Sequence, residues 1–328
     1  MKCRAGTLLV VAALAATAVV SGHAAPKAAA PFSFSLDLGN GAFTAAPPQW
    51  TRAISYQGYD VLVAGQSVAT LPHPVMNVAG SPDGRLVAAV TYDASVCGKA
   101  PPPPCGDFAI WVMNRDGSGL RLFSADARDP AWSPDSRRLA LVGGFDTATL
   151  TGMVSVADAD GAHRRALGAR EPATGPAWAA GGALLAYTRV ARHESIRVVR
   201  VADARVVATL DRAVGPTWAG SGRRLAFVRQ VQARNALTLW SNGRLRVLAT
   251  TAPGMTTLSW SPDGRRIAFA RDGASAEIGV ARVDRNGPRM FRLPYANASN
   301  GADVTDILWK GADALFVTGR FYGILGPR

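Results

Sequence analysis

Lysine is almost missing from this chain, histidine and cysteine are scarce, and only one long apolar run occurs. Lysine stands only at positions 2, 27, 99 and 310, so arginine carries nearly all of the positive charge behind the net +13. That excess reads first as composition, and second as attraction to anionic polymers or to an acidic envelope surface. Histidine is confined to His23, His73, His163 and His193, scattered over the sequence. With no HExxH, no GxSxG and no paired-cysteine spacing, the common zinc-hydrolase and serine-hydrolase signatures are absent. No catalytic residue, metal or cofactor is therefore expected. The sialidase Asp-box is excluded as well, because glycine immediately follows the aspartate in SPDGRRIAF.

The three cysteines are Cys3, Cys97 and Cys105. Cys3 lies in the charged leading segment MKCRAG, ahead of the apolar run, where it does not suit a lipid anchor. Cys97 and Cys105 bracket CGKAPPPPC, and an even pair in an oxidising compartment reads as a disulfide. It would close a short, proline-stiffened loop, worth on the order of 2–3 kcal/mol. The one apolar run, TLLVVAALAATAVV, is short for a membrane span and precedes the small residues SGHAA. Residues 1–24 are thus expected to be a cleavable signal peptide, with a retained anchor as the alternative. The mature protein is then secreted or periplasmic, with no membrane span. Residues 25–40 form a linker and the start of the mature chain, and 41–328 a single domain.

What is present is a repeat. NVAGSPDGRLVAAV, PAWSPDSRRLALV, PAWAAGGALLAYT, PTWAGSGRRLAFV, LSWSPDGRRIAFA and DILWKGADALFVT align on Gly80, Trp132, Trp178, Trp218, Trp260 and Trp309. By subtraction these anchors lie 52, 46, 40, 42 and 49 residues apart. A period near 40–50 residues is that of a four-stranded propeller blade. In each unit a short strand ends at the anchor and a turn of Pro, Asp and Gly type follows. An apolar strand, a third strand, a second glycine turn and a fourth strand complete it. No segment has a sustained helical period.

The pattern P-x-W-S-P-D-G-x-x-I/L-A-F, followed by a strand ending in a D-G-x turn, resembles the repeats of the TolB-like β-propeller superfamily. The resemblance covers roughly residues 75–320 and is sharpest at 130–142 and 258–270. Similar propellers precede the catalytic domain of prolyl oligopeptidase-like peptidases, and TolB carries an α/β domain ahead of its propeller. No segment here matches either partner domain, so neither protein's specific role is carried over. The expected fold is all-β: a six-bladed propeller of four-stranded antiparallel blades, starting near 77, 130, 176, 216, 257 and 303. Its last blade would be closed by N-terminal strands from 59–72, which protects the open edges. Seven blades, the extra one built from FSFSLDLGNGAF and QWTRAIS, is the alternative.

Asp83, Asp135 and Asp263 fall in the same turn of different blades and are expected to bond their own backbone. Arg85, Arg137, Arg138, Arg223, Arg224, Arg265 and Arg266 should decorate the face carrying those turns. A second series, Arg189, Arg229, Arg271 and Arg320, lies eleven residues after the anchors, near the opposite face. A guanidinium ring there suits a carboxylate, a sulfate or an acidic peptide; the competing reading is that each arginine pairs with a neighbour or faces water. The anchor tryptophans are expected in the packing between blades, with Trp50, Trp111 and Trp240 left as ligand candidates. The function implied is a monomeric, non-catalytic binding or scaffolding module for an envelope or extracellular protein or an anionic polymer. Nucleic acid is excluded by the export signal. The alternative is a lyase or hydrolase with its site at the channel mouth.

Overall fold

The computed structural model describes residues 30–39, 42–45, 54–95, 107–146, 151–231, 234–252, 254–272, 276–294 and 301–322. Every regular element among them is a β-strand, and the strands form seven antiparallel sheets arranged as propeller blades. Blade 1 contains β3 (Ile54–Gln57), β4 (Asp60–Val63) and β5 (Gln66–Thr70) among the described residues. Blade 2 is β6 (Val75–Gly80), β7 (Leu86–Asp93), β8 (Asp107–Asn114) and β9 (Arg121–Ala125). Blade 3 is β10 (Ala127–Trp132), β11 (Arg138–Asp146), β12 (Thr151–Asp158) and β13 (Arg165–Ala166). Blade 4 is β14 (Ala173–Trp178), β15 (Leu184–Arg189), β16 (Ser195–Arg200) and β17 (Val206–Asp211). Blade 5 is β18 (Ala213–Trp218), β19 (Arg224–Val231), β20 (Arg234–Ser241) and β21 (Arg244–Thr251). Blade 6 is β22 (Met255–Trp260), β23 (Arg266–Arg271), β24 (Glu277–Arg282) and β25 (Arg289–Arg292). Blade 7 joins the two ends of the chain: β26 (Gly301–Lys310) and β27 (Ala314–Tyr322) pair with β1 (Ala30–Asp37) and β2 (Phe43–Ala45), in the order β2-β1-β27-β26.

The blade count is therefore seven and not six. Closure by N-terminal strands does occur, but the two N-terminal segments exchange the roles expected of them. FSFSLDLGNGAF supplies β1, whose Phe34 pairs with Val317, and so completes the last blade. The segment 59–72 instead makes the β4–β5 hairpin of a separate blade, turned by Ala64 and Gly65, both at positive φ. That is the two-residue geometry matched to strand twist. Alternating apolar residues specify a strand but not its partner, because pairing across the ends of a chain is non-local.

In blades 2 to 6 the inner strand is followed by a strand buried on both faces. Leu225, Ala226, Phe227 and Val228 of β19 are all buried, as are Ile267 to Ala270 of β23. A blade stacked between two others has no solvent face in its middle, so these strands read as continuous apolar runs rather than alternations. The core consequently lies in the seams between blades. One seam packs Ala88, Val90, Ile110 and Val112 of blade 2 against Trp132, Leu139 and Leu141 of blade 3.

The anchor tryptophans close these seams with one recurring hydrogen bond. Each indole Nε1–H donates to the carbonyl of the residue just before the preceding blade's anchor. Trp132 donates to Ala79 at 2.9 Å, Trp178 to Ala131 at 2.9 Å and Trp218 to Ala177 at 3.1 Å. Trp260 donates to Thr217 at 3.0 Å and Trp309 to Ser259 at 3.1 Å. Gly80 breaks the series for a steric reason. A Cβ built on Gly80 would lie 2.6 Å from Ile54 Cδ1, so blade 1 fills with Ile54 the space that tryptophan takes elsewhere.

Overpacking of a filled site costs roughly 1–3 kcal/mol. Gly80→Trp should therefore lower the guanidinium unfolding midpoint, and adding Ile54→Ala should recover part of the loss. Equal losses with and without Ile54→Ala would show that the two side chains do not compete for this space.

Candidate functional site

The recurring turn is architecture. In blade 3, Ser133 Oγ donates to Asp135 Oδ1 at 2.5 Å, and the same carboxylate accepts the Arg137 amide at 3.2 Å. Asp83 accepts from Ser81 and Arg85, and Asp263 from Ser261 and Arg265, in the same way. The serine hydroxyl is the first cause holding each of the three carboxyls below the ordinary aspartate value. They cap their own turns, as expected, and sit in separate blades.

The arginines after these turns divide by one residue of spacing. Arg138, Arg224 and Arg266, six residues past their anchors, lie over the indole of the next blade. The guanidinium-to-ring distances are 5.0 Å on Trp178, 5.6 Å on Trp260 and 5.1 Å on Trp309. Contacts of this kind contribute about 0.5–2 kcal/mol. Arg85, Arg137, Arg223 and Arg265, one residue earlier, are exposed. A further tier comes from the hairpins at the outer edge. Arg121 donates to the Ala159 carbonyl, Arg165 to Val201 and Ala202, Arg246 to Val283 and Arg289 to Leu38, each in the next blade. Seven arginines are thus used between blades.

At the other end of the second strands, Arg189, Arg229, Arg271 and Arg320 occupy equivalent register positions. Their inner-strand partners are Ala173, Ala213, Met255 and Asp303. The arrangement brings blades 4, 5, 6 and 7 to one face through these positions, but their surroundings differ. Arg189 Nε meets Glu171 Oε2 at 2.9 Å, and Glu171 also takes Arg197 Nη1 and the Tyr187 hydroxyl, each at 3.0 Å. Burial, with Glu171 beside it, pushes the Tyr187 hydroxyl up to about 12. Arg271 Nη2 meets Glu277 at 2.6 Å across the β23–β24 pair. Arg229 is half-buried and makes no ion pair among the described residues. The side chain of Arg320 lies outside them. Glu171 thus serves Arg189 and Arg197, and Glu277 serves Arg271.

Glu171, Arg197 and Tyr187 were not singled out from sequence. Glu171 sits in the loop before β14, outside the repeat, and no spacing marks it. Trp111 and Trp240, expected as ligand candidates, pack instead. Trp111 donates to Thr91 Oγ1 at 3.1 Å, and Trp240 lies edge-on to Trp218 at 6.1 Å. Trp50, Cys3, Cys97, Cys105 and residues 1–24 lie outside the described residues. His73 approaches Asp93 at 3.6 Å and His163 meets Asp158 at 2.6 Å, in different blades. Among the described residues no three His, Cys, Asp or Glu side chains converge as metal ligands, and no helix is long and apolar enough to cross a membrane.

Residues 117–323, more than half of the chain, match the model of the lipoprotein LpqB β-propeller domain, and 65–97 match the WD domain G-beta repeat. No curated protein matches the sequence. The putative TolB from Agrobacterium tumefaciens superposes with a TM-score of 0.55 at 12% identity, covering 90% of this chain and all of that one. The β-propeller domain of the Trilobed protease from Pyrococcus furiosus gives 0.51 at 12% identity, covering 73% of this chain and 83% of that one. An oligogalacturonate lyase in complex with manganese gives 0.53 at 12% identity, covering 80% and 82%. At such identity these structures are alike in fold.

The turn carboxyls make a pH prediction. Their folded-state values lie below the roughly 3.9 of an unfolded aspartate, so their contribution is present above about pH 4. It is lost as the pH falls through the lower folded-state values. Replacing Asp83, Asp135 and Asp263 together by Asn should flatten the fall of the unfolding midpoint between about pH 4 and 2. An unchanged acid limb would remove these turns from the account.

Proposed function

The chain belongs to the lipoprotein LpqB β-propeller domain family, and on that premise we propose that it acts as a non-catalytic binding or scaffolding module of the cell envelope. Its partner is a protein or an anionic polymer held on the face where the second strands end. The supporting observation is Arg229, which carries an unpaired charge between Arg189 and Arg271 at equivalent positions of three consecutive blades. Glu171 and Glu277 fix the two flanking guanidiniums. Fixed guanidiniums bind carboxylates and sulfates at lower ordering cost than free ones. Arg320 is proposed as the fourth member from its register position alone.

Export by residues 1–24, pairing of Cys97 with Cys105 and a monomeric state belong to the same proposal. The family name supports an envelope location. The enzymatic alternative calls for histidines and carboxylates converging at a channel mouth; His73 and His163 each meet a single aspartate, in separate blades, and His193 is exposed.

Charge reversal tests the face. Arg229→Glu with Arg271→Glu should weaken binding of poly-L-glutamate by at least about tenfold and reduce its salt dependence, since each lost charge-assisted bond is worth roughly 1.5–3 kcal/mol. Binding that stays as tight and as salt-dependent as in the parent would reject this face.

A further inference from the structure

Blade 5 differs from its neighbours where its outer hairpin turns. Ser241 and Arg244 are joined by Asn242 and Gly243, both at positive φ. The corresponding turns of blades 2, 3, 4 and 6 carry aspartates with partners. Asp116 accepts from Ser118 at 2.6 Å, and Asp158 meets His163 at 2.6 Å. Asp203 meets Arg200 at 3.0 Å, and Asp284 meets Arg282 at 2.6 Å. Blade 5 has the neutral Asn242 in place of an acid.

An open depression adjoins that turn, lined by Leu239, Ser241, Asn242, Arg244 and Arg246, with no carboxylate among them. Arg246 is held by two neutral acceptors of blade 6. Its Nη1 donates to the Val283 carbonyl at 2.6 Å and its Nη2 to Asn286 Oδ1 at 3.1 Å. Those bonds fix the guanidinium without cancelling its charge, unlike the glutamates on Arg189 and Arg271. Arg244 is exposed beside it, and Ser241 and Asn242 add a hydroxyl and an amide.

We propose that this depression binds the phosphate group of a larger ligand, through Arg244 and Arg246 with Ser241 and Asn242 as neutral donors. Two guanidiniums beside a hydroxyl match the several acceptor oxygens of a phosphate. The site is separate from the face of Arg229. Pairing of Arg224 with Ser241 and of Arg229 with Ala236 places the two at opposite ends of the same strands.

The test uses the full chain with inorganic phosphate as probe, against chloride at equal ionic strength, followed by the unfolding midpoint and by titration. Phosphate should raise the midpoint, as any ligand of the folded state does. Arg244→Gln should weaken it at least about tenfold, and so should Asn242→Asp, which adopts the turn residue type of the neighbouring blades and keeps the fold. Arg223→Gln and the Arg229→Glu, Arg271→Glu pair should leave it unchanged. Sedimentation with phosphatidylglycerol vesicles, competed by phosphate and lost in Asn242→Asp, assigns the phosphate to a lipid headgroup. Phosphate binding without vesicle binding assigns it to a soluble phosphate ester. No midpoint rise over chloride, or equal phosphate affinity in parent, Arg244→Gln and Asn242→Asp, overturns the proposal.

Discussion

The bond from a tryptophan indole to a carbonyl of the preceding blade is the constraint on which the ring depends. A four-stranded blade has two apolar faces and cannot bury either alone. Stacking buries both, but apolar contact is non-directional and leaves the angle between blades open. The indole settles that angle, because its N–H must reach one carbonyl while its rings fill the seam. Five consecutive seams, from blade 2 to blade 7, repeat the bond within 2.9–3.1 Å. The glycine turns and the doubly buried second strands make the same packing possible in blades 2 to 6.

Arginine reinforces that arrangement at two further radii. Near the anchors it covers the next blade's indole, and at the outer hairpins it donates to the next blade's carbonyls. Part of the positive balance is thus a mechanical feature, since lysine offers neither the planar stacking surface nor the fork of donors. The charges proposed to bear on binding are Arg229 among its glutamate-held neighbours, and Arg244 with Arg246 at a turn that has no acid.

The period, the turn chemistry and the packing role of the anchors were legible because each is local or repeats at a fixed interval. Blade 1 was hard to recognise because its markers are altered. Gly80 replaces the tryptophan that would have announced its neighbour, and Ile54, which compensates, looks like any strand residue. Pro48-Gln49-Trp50 repeats the P-x-W signature thirty residues before Gly80 by subtraction. That interval is too short for the period, and Trp50 lies outside the described residues. Which strands close blade 7 depends on pairing between residues nearly three hundred positions apart, and no local pattern encodes it. Glu171 was illegible for a similar reason: it lies in the loop before β14, and only the folded register brings it beside Arg189 and Arg197.

Hydrogen exchange of the indole N–H resonances tests the central claim directly. If the tryptophan bonds hold the ring as one unit, the indoles of Trp132, Trp178, Trp218, Trp260 and Trp309 should exchange together, at the rate of global unfolding. Exchange of these five at widely different rates, or as fast as an exposed indole, would contradict it.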